Sequence, residues 1–318
     1  MIKPKLLVTA PIKRFAKVVD LLSKNFEVTI NEYLEYNKLE KIIHKFDILI
    51  PNARIKIDKN ILNNSKNLKV IYQPSIGHDH LDLKSIINLK IKFDSIGNDK
   101  GFLSKQWTTA EHTMMLILNS IKNFKVMIKD LEAFKWDNRK YVIRDLKNMS
   151  VGIIGFGNIG SKVFKLLKNF NCTIYIYDPY VSESKIGKKY YCKTLNELLI
   201  KSDLITLHTP LNTETRNMIS SKEINIMKSS AIIVNAARGG IINENAFIKA
   251  IKDNKISGGA FDVLENENPY GVENSKLAKF AKKNQNIIIT PHVGGSSFKY
   301  MESVFTHSAE RIKEMYEK

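Results

Sequence analysis

The stretch Val151-Gly152-Ile153-Ile154-Gly155-Phe156-Gly157-Asn158-Ile159-Gly160 is a continuous apolar run that ends in three spaced glycines and opens into an amphipathic segment. A buried strand followed by a glycine-rich turn and a helix start is the context in which this spacing binds a dinucleotide. Gly155 permits the tight turn, Gly157 lets a pyrophosphate approach the backbone, and Gly160 lets helix and strand pack closely. The helix start, at Asn158 and Ile159, offers unpaired N–H groups to the anion. The next apolar run, Thr173-Ile174-Tyr175-Ile176-Tyr177, ends in Asp178, close to the roughly 20-residue offset of a ribose-binding acid. Asp178 accepts hydrogen bonds from ribose hydroxyls and repels a 2′-phosphate, and no arginine follows to compensate, so NAD is expected over NADP. The alternative for Asp178 is a plain turn residue before Pro179.

Outward from this point the chain keeps alternating. Residues 151–154, 172–177, 204–208, 231–235, 258–263 and 287–290 read as six strands of one doubly wound sheet. Upstream, residues 6–10, 28–30, 46–51, 68–73 and 91–95 form a second series of parallel βα units. Residues 108–121 read as a long helix, and 122–150 as an irregular charged connection anchored by Phe134, Trp136 and Tyr141. Residues 296–318 are amphipathic and helical, suited to covering the first domain. The fold class is therefore α/β with two doubly wound parallel-sheet domains. A Rossmann NAD-binding domain is expected at 101–296 and a smaller flavodoxin-like substrate domain at 1–100 plus 297–318, with the active site in the cleft and hinges near 98–101 and 293–297.

Composition sets outer limits. The 318 residues suit two domains, and no apolar run approaches the roughly 18 to 20 residues of a membrane helix. The first residues enter a strand-like segment without the parts of a signal peptide, and the cysteines are only Cys172 and Cys192, so a reduced cytoplasmic protein is expected. The net charge of +18 comes mostly from lysines scattered through both halves beside much asparagine and isoleucine. Without a basic tract or a basic-aromatic module this argues against a nucleic-acid partner.

Three more residues follow strands of the nucleotide domain: Arg238 in Asn235-Ala236-Ala237-Arg238-Gly239-Gly240, Glu267 in Phe261-Asp262-Val263-Leu264-Glu265-Asn266-Glu267, and His292 in Thr290-Pro291-His292-Val293-Gly294-Gly295. Strand C-terminal ends border the ligand crevice of an open α/β sheet, so a cation, a carboxylate and an imidazole converge there. A guanidinium grips a carboxylate through two parallel hydrogen bonds, and a histidine beside an acid can trade a proton near neutral pH.

With these segments in order, the chain resembles the D-isomer-specific 2-hydroxyacid dehydrogenases over nearly its whole length. The resemblance rests on the glycine fingerprint with Asp178, on His208-Thr209-Pro210-Leu211-Asn212-Thr213-Glu214-Thr215, and on the Asn-Ala-Ala-Arg-Gly, Phe-Asp-Val and Pro-His-Val-Gly-Gly runs. It implies an NAD-dependent oxidoreductase that interconverts a small 2-oxo acid and its D-2-hydroxy acid. Arg238 would hold the substrate carboxylate and carbonyl oxygen, His292 would be the acid/base, and Glu267 would hold the imidazole and stabilise imidazolium. Beside the fingerprint, it places His208, Thr209, Pro210 and Thr215 at the cofactor, together with Ala236, Ala237, Arg238, His292 and Gly294, and sets Asp262 against the carboxamide side of the nicotinamide. Asn52, Ala53 and the 75–77 backbone of Ser75, Ile76 and Gly77 would meet the substrate, with Arg238 and His292.

The resemblance also implies a homodimer formed through the nucleotide domains, with 106–121 and 122–150 as contact regions. No metal is expected, because His78, His80, His112 and His208 do not have ligand spacing. Asn268 departs from the family pattern, where a proline commonly follows the glutamate. Glyoxylate, hydroxypyruvate, pyruvate and a 3-phosphoglycerate-type substrate all stay open, Arg54 being a candidate for a phosphate. Formate and phosphonate dehydrogenases of this fold are disfavoured, since they carry glutamine beside the histidine and lysine at the Ile76 position, respectively. The alternative from another class is an NAD-sensing binding protein with incidental turnover, against which the intact Arg238, Glu267 and His292 argue.

Overall fold

Short β-branched runs separated by capped helices build the first unit, Met1–Gln106 with Ser296–Lys318, in a computed structural model that describes residues 3–265, 267 and 272–317. Its strands β1 (Lys5–Val8), β2 (Glu27–Ile30), β3 (Ile48–Ile50), β4 (Val70–Gln73) and β5 (Lys92–Ser95) are parallel and ordered β2-β1-β3-β4-β5. This is the flavodoxin-like order, with its reversal between β1 and β3. Because side chains alternate across a strand, Leu6, Val8, Ile48 and Ile50 face one layer, with Phe305, Ala309 and Ile312 of the helix Phe298–Glu317. Leu7, Leu49 and Ile71 face the other, with Leu39, Ile61 and Ile86. Asp58, Asp82 and Asp99 accept backbone N–H groups at the starts of their helices, each such cap contributing about 1 kcal/mol.

The second unit, Trp107–Gly295, carries β6 (Ser150–Ile154), β7 (Thr173–Tyr177), β8 (Leu204–Leu207), β9 (Ile232–Asn235), β10 (Gly258–Phe261) and β11 (Ile287–Ile289). All pairings among them are parallel, in the order β11-β10-β9-β8-β6-β7. The order reverses between β6 and β8, which locates the crevice of a doubly wound sheet beyond their C-terminal ends. Tyr191, beyond β7, makes an isolated parallel bridge to Ile176 within it. The helix Thr108–Ile121 buries Ala110, Leu116 and Ile117 against Val151, Ile153 and Ala260, while Phe247, Phe261 and Ile233 fill the opposite layer.

The connection at 122–150 departs from expectation. It contains a helix, Phe124–Glu132, none of whose residues is buried, and Phe134 and Trp136 are 97% and 91% exposed rather than anchoring anything. Tyr141 does anchor, donating its hydroxyl to Asp130 Oδ2 at 2.7 Å. Phe124, Ile128 and Leu131 recur at helical spacing on an exposed face, so the apolar stripe exists without covering chain. No helix among the described residues is long and apolar enough to cross a membrane.

Candidate active site

At the end of β6 the chain turns through Gly155, whose φ of +91° lies in the region glycine alone enters without strain. A Cβ there would lie 2.6 Å from the His208 carbonyl oxygen, so the loops after β6 and β8 touch at the switch point. A Cβ on Gly160 would meet the Gly155 carbonyl oxygen at 2.0 Å, which is the close helix-to-turn packing read from the sequence. A Cβ on Gly157 would meet nothing within 4 Å. The helix Asn158–Lys168 begins there, and the first N–H groups of a helix have no partner within it. Asn158 Oδ1 accepts from Lys162 Nζ at 2.8 Å, and burial pushes the lysine below its usual range. Ile159 packs at the margin of the core.

Asp178 serves the fold at the end of β7. Its Oδ2 accepts the Phe156 N–H of the fingerprint loop at 2.7 Å, and its Oδ1 accepts Tyr180 N–H at 2.9 Å, which is the turn role weighed for it. His208 follows β8, with Nε2 3.0 Å from Thr206 Oγ1, and burial pushes its imidazole down to about 3, so it is neutral. Thr209 Oγ1 is buried without a hydrogen-bond partner among the described residues. The Thr215 hydroxyl donates to the Pro210 carbonyl at 2.6 Å and receives Asn212 N–H at 2.9 Å, closing the 210–215 loop. A positive-φ glycine, open space at the next glycine, a helix N-terminus and an orphaned hydroxyl fit a dinucleotide.

The ends of β9, β10 and β11 lead to Arg238, Glu267 and His292 respectively. Glu267 bridges two groups: Oε1 accepts Leu264 N–H at 2.9 Å, and Oε2 lies 2.6 Å from His292 Nδ1. His292 has φ +54° and is 48% exposed at its side chain. Asp262 is 2% exposed and accepts from His112 Nε2 at 3.1 Å, Thr290 Oγ1 at 2.6 Å, Val293 N–H at 2.9 Å and Gly294 N–H at 2.8 Å. Burial alone would raise its carboxyl, but these hydrogen bonds hold it below the usual range. Two of these four donors, Val293 and Gly294, belong to the segment after His292, so Asp262 holds that segment. Ala236 is buried and Ala237 donates its N–H to Asn235 Oδ1 at 3.0 Å. Arg238 Nη1 donates to the Ala237 carbonyl at 2.7 Å, and Asn235 Nδ2 donates to the Arg238 carbonyl at 2.8 Å. Asn268 lies outside the described residues.

In the first unit, Asn52 follows β3 and donates its N–H to Thr9 Oγ1 at 2.7 Å, across the switch point of that sheet, while its side chain accepts Arg54 N–H at 3.0 Å. Ala53 is exposed. After β4, buried Gln73 donates to Ser75 Oγ at 2.6 Å, and Ser75 Oγ donates to the Gly77 carbonyl at 2.9 Å. His80 Nε2 lies 3.1 Å from Gln73 Oε1, and Ile76 is 45% exposed at the loop tip. Gln73 and His80 hold the loop, a role that the sequence pattern shows for neither. The contacts of His112, Thr290 and Glu244 are equally hidden from the sequence, because each partner is a side chain or amide distant along the chain.

Residues 114–294 match the family model described as D-isomer specific 2-hydroxyacid dehydrogenase, NAD binding domain, a span containing the fingerprint, Asp178, Arg238, Glu267 and His292. The chain belongs to the D-isomer specific 2-hydroxyacid dehydrogenases. Its second unit is the NAD-binding domain of such a dehydrogenase, and NAD is its cofactor. The chain is 32% identical over 312 residues to a hydroxypyruvate reductase of Thermotoga maritima, covering 98% of each protein. It is 32% identical over 320 residues to a D-3-phosphoglycerate dehydrogenase of Methanocaldococcus jannaschii, covering 98% of this chain but 57% of that protein. Among solved structures, a D-lactate dehydrogenase of Aquifex aeolicus, complexed with NAD and lactic acid, superposes with a TM-score of 0.84 at 26% identity, covering 98% of this chain and 95% of that one. The chain thus spans little more than half the length of some phosphoglycerate dehydrogenase relatives and nearly all of the reductase relative.

Proposed function

We propose that this dehydrogenase interconverts a small 2-oxo acid and its D-2-hydroxy acid, using NAD in preference to NADP. The observation that carries the reading is the 2.6 Å pair between Glu267 Oε2 and His292 Nδ1, at the strand ends of a nucleotide-binding sheet. With Nδ1 committed to the carboxylate, Nε2 is the nitrogen that exchanges a proton with substrate. Bound NADH supplies the hydride that reaches the carbonyl carbon. As that carbon is reduced, His292 Nε2 gives its proton to the carbonyl oxygen, forming the O–H bond, and Glu267 stabilises the imidazolium beforehand. In the oxidising direction neutral His292 takes the hydroxyl proton. Arg238 pairs with the substrate carboxylate through its planar fork, which fixes which carbon is presented.

The dinucleotide would be held by Gly155, Gly157, Asn158, Ile159 and Gly160 at the pyrophosphate, and by Asp178 at the ribose. His208, Thr209, Pro210 and Thr215 would line it, with Thr209 Oγ1 taking the partner it otherwise lacks. Ala236, Ala237, Asp262 and Gly294 would border the nicotinamide end. Asn52, Ala53 and the Ser75, Ile76 and Gly77 backbone would contribute to substrate recognition, supported by their position after β3 and β4 of the first unit. Hydroxypyruvate, glyoxylate, pyruvate and 3-phosphohydroxypyruvate are the substrate candidates, in keeping with the relatives' names.

We further propose a cytoplasmic homodimer. The exposed apolar side chains of Phe124, Ile128, Leu131, Phe134, Trp136 and Val142 support the dimer, and two unpaired, buried or half-buried cysteines, Cys172 and Cys192, suit a reducing compartment. The test of function is NADH and NADPH oxidation against those four oxo acids. Rapid NADH-dependent turnover of one of them is expected. Tight NADH binding with no turnover of any would favour a cofactor-sensing role instead.

A further inference from the structure

Glu244 opens the helix Glu244–Lys252, capped by Asn243, whose side chain accepts Ala246 N–H at 2.9 Å. A first-turn acid ordinarily answers the helix dipole from solvent. Here the carboxyl is half-buried, and its Oε1 accepts the backbone N–H of Glu265 at 2.7 Å. Burial, and then the negative neighbours Glu265 and Glu267, push it above the usual glutamate range, while the Glu265 N–H bond opposes that shift. A protein does not place a carboxyl so unfavourably without a compensating contact, and the contact is with the segment that leads to Glu267.

That segment is clamped from three directions. Gly239, which follows Arg238, approaches so closely that a Cβ on it would lie 2.0 Å from the Leu264 carbonyl oxygen and 2.4 Å from Glu265 N. Arg216 Nη1 stands 3.8 Å from Glu265 Oε1. Leu264 N–H in turn is the donor to Glu267 Oε1, whose other oxygen holds His292. A continuous run of contacts therefore joins the helix that follows Arg238 to the imidazole, with Glu244 as its first link.

We propose that Glu244 is a positioning residue which, by accepting the Glu265 N–H, fixes the placement of Glu267 and so the orientation of His292 relative to the Arg238 segment. The inference rests on the dehydrogenase reading above. Glu244 acts through Glu267 and has no role in holding the dinucleotide.

The test uses the full chain with NADH and whichever oxo acid it turns over, comparing Glu244→Ala, Glu244→Asp, Glu244→Gln, Glu267→Gln and the double variant Glu244→Ala/Glu267→Gln. Glu244→Ala should lower kcat by about tenfold, within the roughly 100-fold that a 1 Å misplacement can cost, with the Kd for NADH unchanged. Glu244→Asp, one methylene too short to reach the amide, should show the same loss should the alanine variant fold poorly. Glu244→Gln keeps an acceptor oxygen and should retain most of kcat. In the Glu267→Gln background the Glu244→Ala loss should shrink severalfold, because the two act as one unit. An equal loss in both backgrounds, or unchanged kcat in Glu244→Ala beside an impaired Glu267→Gln, overturns the positioning role alone. Full kcat in Glu267→Gln overturns the acid/base reading, and the positioning role with it.

Discussion

Gly294 donates its backbone N–H to Asp262 Oδ2 at 2.8 Å, and a Cβ placed on Gly294 would sit 2.8 Å from that same oxygen. The glycine is therefore required by close approach. Asp262 also receives Val293 N–H, so both residues after His292 hang from one carboxylate. His292 itself sits at φ +54°, a conformation a non-glycine residue keeps only where its surroundings hold it. Asp262 is what holds it, from the end of β10, with Thr290 and His112 completing the carboxylate's shell.

Replacing that acceptor should be costly. Asp262→Asn presents an N–H to donors and leaves at least one buried donor unpaired, so a destabilisation of about 1–3 kcal/mol is expected from urea unfolding. Its kcat should fall as His292 loses its setting. Because the folded carboxyl titrates below its unfolded value, the stabilisation is fully present above pH 3.8 and is lost only as pH falls through the lower folded value.

The glycines separate packing from ligand approach. Gly160→Ala drives a methyl into the Gly155 carbonyl and should lower both thermal stability and NADH affinity. Gly157→Ala enters open space, so its melting temperature should stay within about 2 °C of the parent, a change under 1 kcal/mol, while NADH affinity falls. Differential scanning fluorimetry beside NADH fluorescence titration distinguishes the two.

The strands and the glycine turn of the fingerprint were legible because they are local: apolar runs of period two and glycines at fixed offsets. Alternation of the same kind gave the parallel βα units of the first sheet, while its strand order is seen only in the fold. What escaped is non-local. Glu244 looks like any first-turn acid until Glu265 is seen against it, and the four protein donors on Asp262 come from residues 28 to 150 positions away. The helix Phe124–Glu132 was missed because its apolar positions are diluted by lysine and have no covering layer in the chain. Phe134 and Trp136 read as anchors because large aromatics are usually buried, and here they are not.

His208 gives the chain an acid sensitivity. Its folded value of about 3 lies below the unfolded 6.5, so the folded state binds fewer protons between those limits. Stability is full above pH 6.5 and declines as pH falls toward 3. His208→Gln should flatten the decline in melting temperature between pH 6.5 and 5. Parallel declines in the two proteins would assign the effect elsewhere.

The exposed stripe at 124–142 should be covered in solution. Trp136→Glu combined with Phe134→Glu is expected to shift the sedimentation of a dimer to that of a monomer, leaving the far-ultraviolet spectrum unchanged, since neither side chain packs within the chain. An unaltered sedimentation profile would exclude this face from the interface.

His292, oriented by Glu267, is expected to move the proton in 2-oxo acid reduction. The most direct measurement is turnover and NADH binding by His292→Ala on the substrate that the parent reduces. The expected result is a loss of kcat of about 10²–10⁴-fold with the Kd for NADH little changed. Full-rate turnover by His292→Ala would contradict it.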